Sequence, residues 1–140
     1  MAGHDPSKHA ALTPDRWRES HDFRRGIDLF NHGYYWEAHE AWEGLWHAAG
    51  RNGAVADFLK GLIKLAAAAV KAREGNAAGV ERHARRAKEL FESSTAAGFA
   101  IDGLVALAKC WSGNADSLAS EGDDTMLLHV LPTFDFSRDW

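Results

Sequence analysis

Residues 33–46 read GYYWEAHEAWEGLW: three tryptophans, two tyrosines, three glutamates and a histidine within little more than three helical turns. At about 100° per residue, Ala38, Ala41, Trp42 and Leu45 gather on one side of a helix. Trp36, His39, Glu40, Glu43, Trp46 and His47 gather on the other, with Glu37 and Gly44 between. One face is a core stripe. The other mixes an imidazole, carboxylates and indoles.

Upstream, Thr13-Pro14-Asp15 has the residues of a helix start: a capping hydroxyl, a proline for the first turn and an acid at the positive end of the dipole. The spacing predicts a helix from there to about Asn31, with Trp17, Phe23, Ile27 and Phe30 facing the core. Asn31-His32-Gly33 ends it, Gly33 being suited to a left-handed terminus.

Downstream, Gly50-Arg51-Asn52-Gly53 breaks the second helix, expected over 34–48. A third, over 55–73, is apolar around most of its circumference, with Lys60, Lys64 and Lys71 as one polar stripe. Such a helix belongs in the middle of a bundle. Glu74-Gly75-Asn76 ends it, a fourth helix spans 77–92, and Asp102 starts a shorter fifth. Residues 112–124, rich in Ser, Gly, Asn and Asp, read as a linker. In the tail MLLHVLPTFDF, Pro132 favours an extended Leu131. The helix–glycine–helix order around Gly33 recurs around Gly75, and GYYWEA resembles a tetratricopeptide turn.

The expectation is an all-α fold: a single bundle of about five helices on two helical hairpins, tetratricopeptide-like in their pairing. The lead-in is placed at 1–12, the bundle at 13–111, the linker at 112–124, and the tail at 125–140, packed on the bundle or on a neighbouring subunit. His4 and His9 fall in the lead-in, where solvated side chains are expected.

The 140-residue chain is 46% hydrophobic and 26% charged, which suits one soluble domain. A net charge of −4 gives no overall field for nucleic acid or an anionic membrane. A single cysteine, Cys110, rules out an intrachain disulfide framework and reads as buried filler after an apolar run. No secretory h-region and no membrane-length apolar run is present, so a cytoplasmic protein is expected.

His39 and Glu43 stand four apart and can touch; Glu37 and Glu40, and Glu40 and Glu43, are neighbours three apart. Such a group can act as an acid–base pair or supply two ligands to a divalent metal. A complete metal site needs a ligand from elsewhere, with His21, Asp28, Glu81 and His83 as candidates. It can equally be structural, since an exposed His–Glu pair contributes only about a few tenths of a kcal/mol. The run Arg82, His83, Arg85, Arg86, Lys88 is interleaved with Glu81 and Glu89 and reads as a solvated helix face, the other reading being an anion or RNA contact.

FNHGYYWEAHEAWEGLW (30–46), FLKGLIKLAAAAVKAREGN (58–76) and ARRAKELF (84–91) together resemble the bacterial and archaeal family known as domain of unknown function 309, over about residues 25–110. The resemblance implies a small helical bundle. Some members carry the label of a predicted metal-dependent hydrolase. The family's motif positions here are Asn31, Gly33, Glu37, His39, Glu40, Glu43, Trp46, Gly61 and Asn76. Where the family's second motif has glutamines, this chain has Lys60 and Lys64, which disfavours a cation and favours an anionic ligand or lysine–glutamate pairs.

Two functions follow as expectations. One is a binding or scaffolding module whose face comprises Asn31, Tyr35, Trp36, His39, Glu40, Glu43, Trp46, Lys60 and Lys64, with a peptide or protein partner, a small ligand or a second copy as occupant. The other is a metal-dependent hydrolase, with His39 and Glu43 as ligands and Glu37 or Glu40 as a further ligand or general base.

Overall fold

The computed structural model describes residues 20–94 and 101–120, and among these all regular structure is helical. The six helices are α1 (His21–Asn31), α2 (Tyr35–Ala48), α3 (Ala54–Arg73), α4 (Ala77–Ser93), α5 (Ile101–Gly113) and α6 (Ala115–Ser120).

Glycine ends the first three helices in the same way. After α1, Gly33 sits at φ 86°, its N–H bonds to Phe30 O at 3.0 Å, and Tyr34 N–H bonds to Leu29 O at 2.8 Å. This is a Schellman closure, which needs the left-handed residue that glycine supplies without strain. The same pair of bonds recurs at Gly50 and Gly75. The recurrence around Gly33 and Gly75 thus has a local cause. It does not confirm tetratricopeptide-like pairing: among the described residues each helix packs on the next in one consecutive bundle.

Side-chain contacts fix the directions. Phe30 meets Tyr35 at the turn, while Phe23 accepts from the Trp42 indole farther along, so α1 and α2 are antiparallel. Lys60 lies over Trp46, and Arg73 over Tyr35, which makes α3 antiparallel to α2. Phe58 meets Phe91, and Lys71 meets Gly79, which makes α4 antiparallel to α3. α3 packs against α2, α4 and α6, the central position its apolar circumference predicts.

Trp42 fills the middle of the α1–α2 contact. It is fully buried, its ring lies 6.0 Å from Phe30, and a Cβ at Gly26 would overlap its indole. Between α3 and α4 the Phe91 ring occupies the space that a side chain on Gly61 would need. Phe30 also stacks on Trp111 at 6.0 Å, which brings α5 onto α1.

Three expectations are corrected. The first helix does not run unbroken from Pro14. Ser20 is extended (φ −76°, ψ 114°) and its hydroxyl caps Phe23 N–H at 3.2 Å, so α1 begins at His21; Thr13, Pro14 and Trp17 lie outside the described residues. Residues 112–120, read as a linker, are helical except for a turn at Asn114. Asn114 links the two short helices, its side chain donating to Cys110 O at 2.7 Å and its carbonyl accepting from Leu118 N–H at 3.0 Å. Ala115 and Leu118 are buried, so the polar composition describes only the outer side of α6. Cys110 is exposed, not buried filler. The lead-in, residues 121–124 and the 125–140 tail lie outside the described residues.

Candidate functional site

The two faces of α2 separate as its sequence demands. Ala38, Trp42 and Leu45 are buried; Trp36, Glu37, Glu40 and Glu43 are exposed; His39 and Trp46 are half-buried. Tyr35, placed on the binding face by the sequence, belongs to the core. It is 2% exposed, wedged edge-on against Phe30 at 5.0 Å and covered by the Arg73 guanidinium 4.7 Å from its ring centre. As the first residue of α2 it points inward over the α1–α2 turn. Arg73 also donates to Gly33 O at 2.8 Å, which ties that turn to the end of α3.

Trp46 is likewise engaged within the protein. The Lys60 ammonium sits 4.3 Å from its ring centre and the Arg51 guanidinium 5.9 Å. This spends Lys60 on the indole, and neither Lys60 nor Lys64 forms an ion pair with Glu40 or Glu43 among the described residues. Asn31 is half-buried at the end of α1. The motif residue Asn76 caps α4, its side chain accepting from Gly79 N–H at 2.9 Å, and Gly61 gives room to Phe91. Two of the family's motif positions are therefore architectural.

Trp36 remains. Its indole is 58% exposed and stacks parallel on the His39 ring, with centroids 5.1 Å apart and planes 4° from parallel. The pair forms one wall of a groove of about 460 Å³ whose other walls are Ala67, Val70, Lys71 and Glu74 of α3 and His83 of α4. Lys71 and Glu74 pair at 3.2 Å on its rim. A second cleft of about 380 Å³ adjoins it, sharing His83 and lined by Lys64, Arg82, Arg85, Arg86 and Glu89. A larger hollow of about 650 Å³ lies where α4 begins beside the α5–α6 joint; it has no aromatic wall, and its Glu81 and Arg85 neutralise each other at 3.2 Å.

Electrostatics distinguish the groove. Burial pushes the His39 imidazole below its ordinary value of 6.5; Glu43 and Glu40 pull it up, and Lys64 and Lys60 push it down again. Burial also lowers His83, assisted by Lys64, Arg82, Lys71 and His39. Lys64 is depressed by burial first, then by Lys60, Arg86 and Arg82. Both imidazoles are thus held neutral at pH 7 beside a half-buried ammonium. His39 Nδ1 is sealed with no hydrogen-bond partner, so Nε2 is the nitrogen that a molecule in the groove can reach.

The expected His39–Glu43 contact does not form: the two interact through space but make neither a hydrogen bond nor an ion pair. Among the candidate third ligands, His21 and Asp28 are exposed on α1 and Glu81 is paired with Arg85. Only His83 comes to the groove. Among the described residues no three His, Cys, Asp or Glu side chains converge as a divalent metal requires. His39 feels the carboxylates Glu43 and Glu40 as well as the ammoniums of Lys64 and Lys60, whereas the charges acting on His83 are those of Lys64, Arg82, Lys71 and His39.

The α4 basic run behaves largely as a solvated face, with Arg85–Glu81, Arg86–Glu89 and Lys88–Glu92 pairs at 3.1–3.3 Å. Arg82 and His83 fall outside that pattern: both line the cleft with Lys64 of α3, and Arg82 also borders the hollow beside α5 and α6. The sequence could find His83 only as one of four candidates, and nothing in it sets Ala67 and Val70 apart from the other apolar residues of α3. A helical wheel of α3 alone cannot show that α2 and α4 diverge above them.

No helix among the described residues is long and apolar enough to cross a membrane. No curated protein and no solved structure matches the chain. A family model described as Domain of unknown function (DUF309) matches residues 23–83. The resemblance read from the sequence reaches further, to about residue 110; the match ends at His83, after α1 to α3 and the first turns of α4. It includes Trp36, His39, Lys64 and His83, the residues that build the groove and its junction with the second cleft. The chain carries a domain of the domain of unknown function 309 family.

Proposed function

We propose that this protein is a binding module that takes a small organic ligand in the groove between α2, α3 and α4. The observation that carries the reading is Trp36: a large indole more than half exposed, stacked on His39, lining a groove of about 460 Å³. Ligand pockets commonly enclose about 300–1,000 Å³, with apolar walls and a few polar groups that fix orientation. Here Trp36, Ala67 and Val70 supply the apolar surface, and His39, His83 and the Lys71–Glu74 pair supply the polar points. An exposed indole loses little conformational freedom on binding, which makes it an efficient contact.

The hydrolase reading lacks equivalent support. His39 and Glu43 do not meet, Glu37 and Glu40 face solvent, and of the proposed third ligands only His83 reaches the groove.

The test is ligand-observed saturation-transfer NMR on the full chain with a panel of small aromatic compounds. Saturation transfer to panel members, lost in Trp36→Ala while the variant keeps the wild-type melting temperature, supports the reading. Compounds that bind wild type and Trp36→Ala equally, or none that binds, overturn it.

A further inference from the structure

The cleft beside the groove has an unusual charge balance. Arg85 is matched by Glu81 at 3.2 Å and Arg86 by Glu89 at 3.3 Å. Lys64 and Arg82 have no acidic partner among the described residues, and His83 stands between them and the groove. Lys64 is also half-buried, where an unmatched ammonium is costly. The chain places cation beside cation there although exposed acids are available on the same face: Glu40 and Glu43 remain in solvent instead of pairing with the α3 lysines. An unmatched cation pair, its lysine half-buried and its arginine exposed, with an imidazole beside it and lining a hollow of about 380 Å³, is complementary to a compact anion.

We infer that this cleft holds the anionic group of the ligand, a phosphate or carboxylate, between Lys64, Arg82 and His83, while the ligand's apolar part lies against Trp36. The inference rests on the groove reading for the apolar part only. Arg82 offers a planar fork that can grip two oxygens, Lys64 a point charge, and His83, which lines both the cleft and the groove, a ring N–H. Glu89, the one carboxylate of the cleft, is already held by Arg86 and leaves the Lys64 side free of negative charge.

The test is a two-dimensional amide and side-chain NMR titration of the full chain with four probes: inorganic phosphate, phenyl phosphate, benzoate and benzyl alcohol. Saturable shifts at Lys64, Arg82 and His83 with inorganic phosphate are expected. Phenyl phosphate or benzoate should bind at least about tenfold tighter and also shift the Trp36 indole; the tighter of the two names the anion. Lys64→Gln and Arg82→Gln should each weaken the anionic probes about tenfold and leave benzyl alcohol unchanged. Arg82 is exposed, so its substitution reads the site without threatening the fold. Anion shifts that do not saturate, or that are equal in both variants and wild type, overturn the inference. Benzyl alcohol saturating at Trp36 with no anion response overturns it while leaving the groove intact. Inorganic phosphate saturating the cleft while phenyl phosphate and benzoate gain nothing upholds the anion site and sinks the groove reading.

Discussion

Trp36 and Trp42 stand on the same helix, six residues apart, and the structure gives them opposite roles. The decisive perturbation is to replace each by alanine in turn. Trp42 is fully buried, packs on Phe30 at 6.0 Å and fills the space above Gly26. Removing it leaves a cavity in the α1–α2 contact that the packed helices can only partly collapse, so the loss should be about 3–5 kcal/mol. For a chain of this size that lowers the melting temperature by roughly 10–20 °C, and it consumes a large part of a total stability of about 5–15 kcal/mol. Trp36 is 58% exposed, and its principal contact is the stack on His39. Its removal should cost no more than about 1 kcal/mol, the worth of one aromatic pair plus a little buried area. Urea unfolding followed by far-ultraviolet circular dichroism is the assay, because tryptophan fluorescence would change with the substitution itself. A Trp36→Ala loss above about 2 kcal/mol would mean that the indole is buried in solution and unavailable to a ligand. A Trp42→Ala loss below about 1 kcal/mol would mean that the α1–α2 packing is not as described.

Two further outcomes are expected. Gly61→Val should unfold the protein or lower its stability by more than about 2 kcal/mol, since the side chain would collide with the buried Phe91 ring that packs on Phe58; stability within about 0.5 kcal/mol of wild type in chemical denaturation would refute that close approach. His39 and His83 both titrate below 6.5 in the folded protein, so the unfolded chain takes up protons first as pH falls. Their contribution to stability is complete above 6.5 and declines as pH falls from there through their lower folded midpoints. The groups that set this are His39 and His83 themselves, Lys64, Lys60, Lys71 and Arg82 as neighbouring cations, and Glu40 and Glu43 as opposing acids. The His39→Gln/His83→Gln double variant should flatten the slope of stability between pH 7.5 and 5.5, and a slope equal to wild type would count against burial as the cause.

The positions of α2, α3 and α4, the glycine closures and the core stripe of α2 were legible in the sequence because each depends on residues within a few positions of one another. Gly33 with Tyr34, or Ala38 with Trp42 and Leu45, needs only helical periodicity to be read. Family membership was legible for the same reason: FNHGYYWEAHEAWEGLW and FLKGLIKLAAAAVKAREGN are local patterns, and they fall within the matched segment 23–83. Tertiary structure alone decided which of the chemically loaded residues act together. Tyr35 turned inward because the α1–α2 turn points its side chain at Phe30 and Arg73. Trp46 was taken by Lys60 because α3 runs back along α2. Glu43, one turn from His39 in sequence, stayed in solvent, while His83, 44 positions away, came to the same groove. A helix fixes angles between its own residues, but the clefts between helices depend on the side-chain volumes of three elements at once. So the groove and its unmatched cations exist only once the bundle has packed.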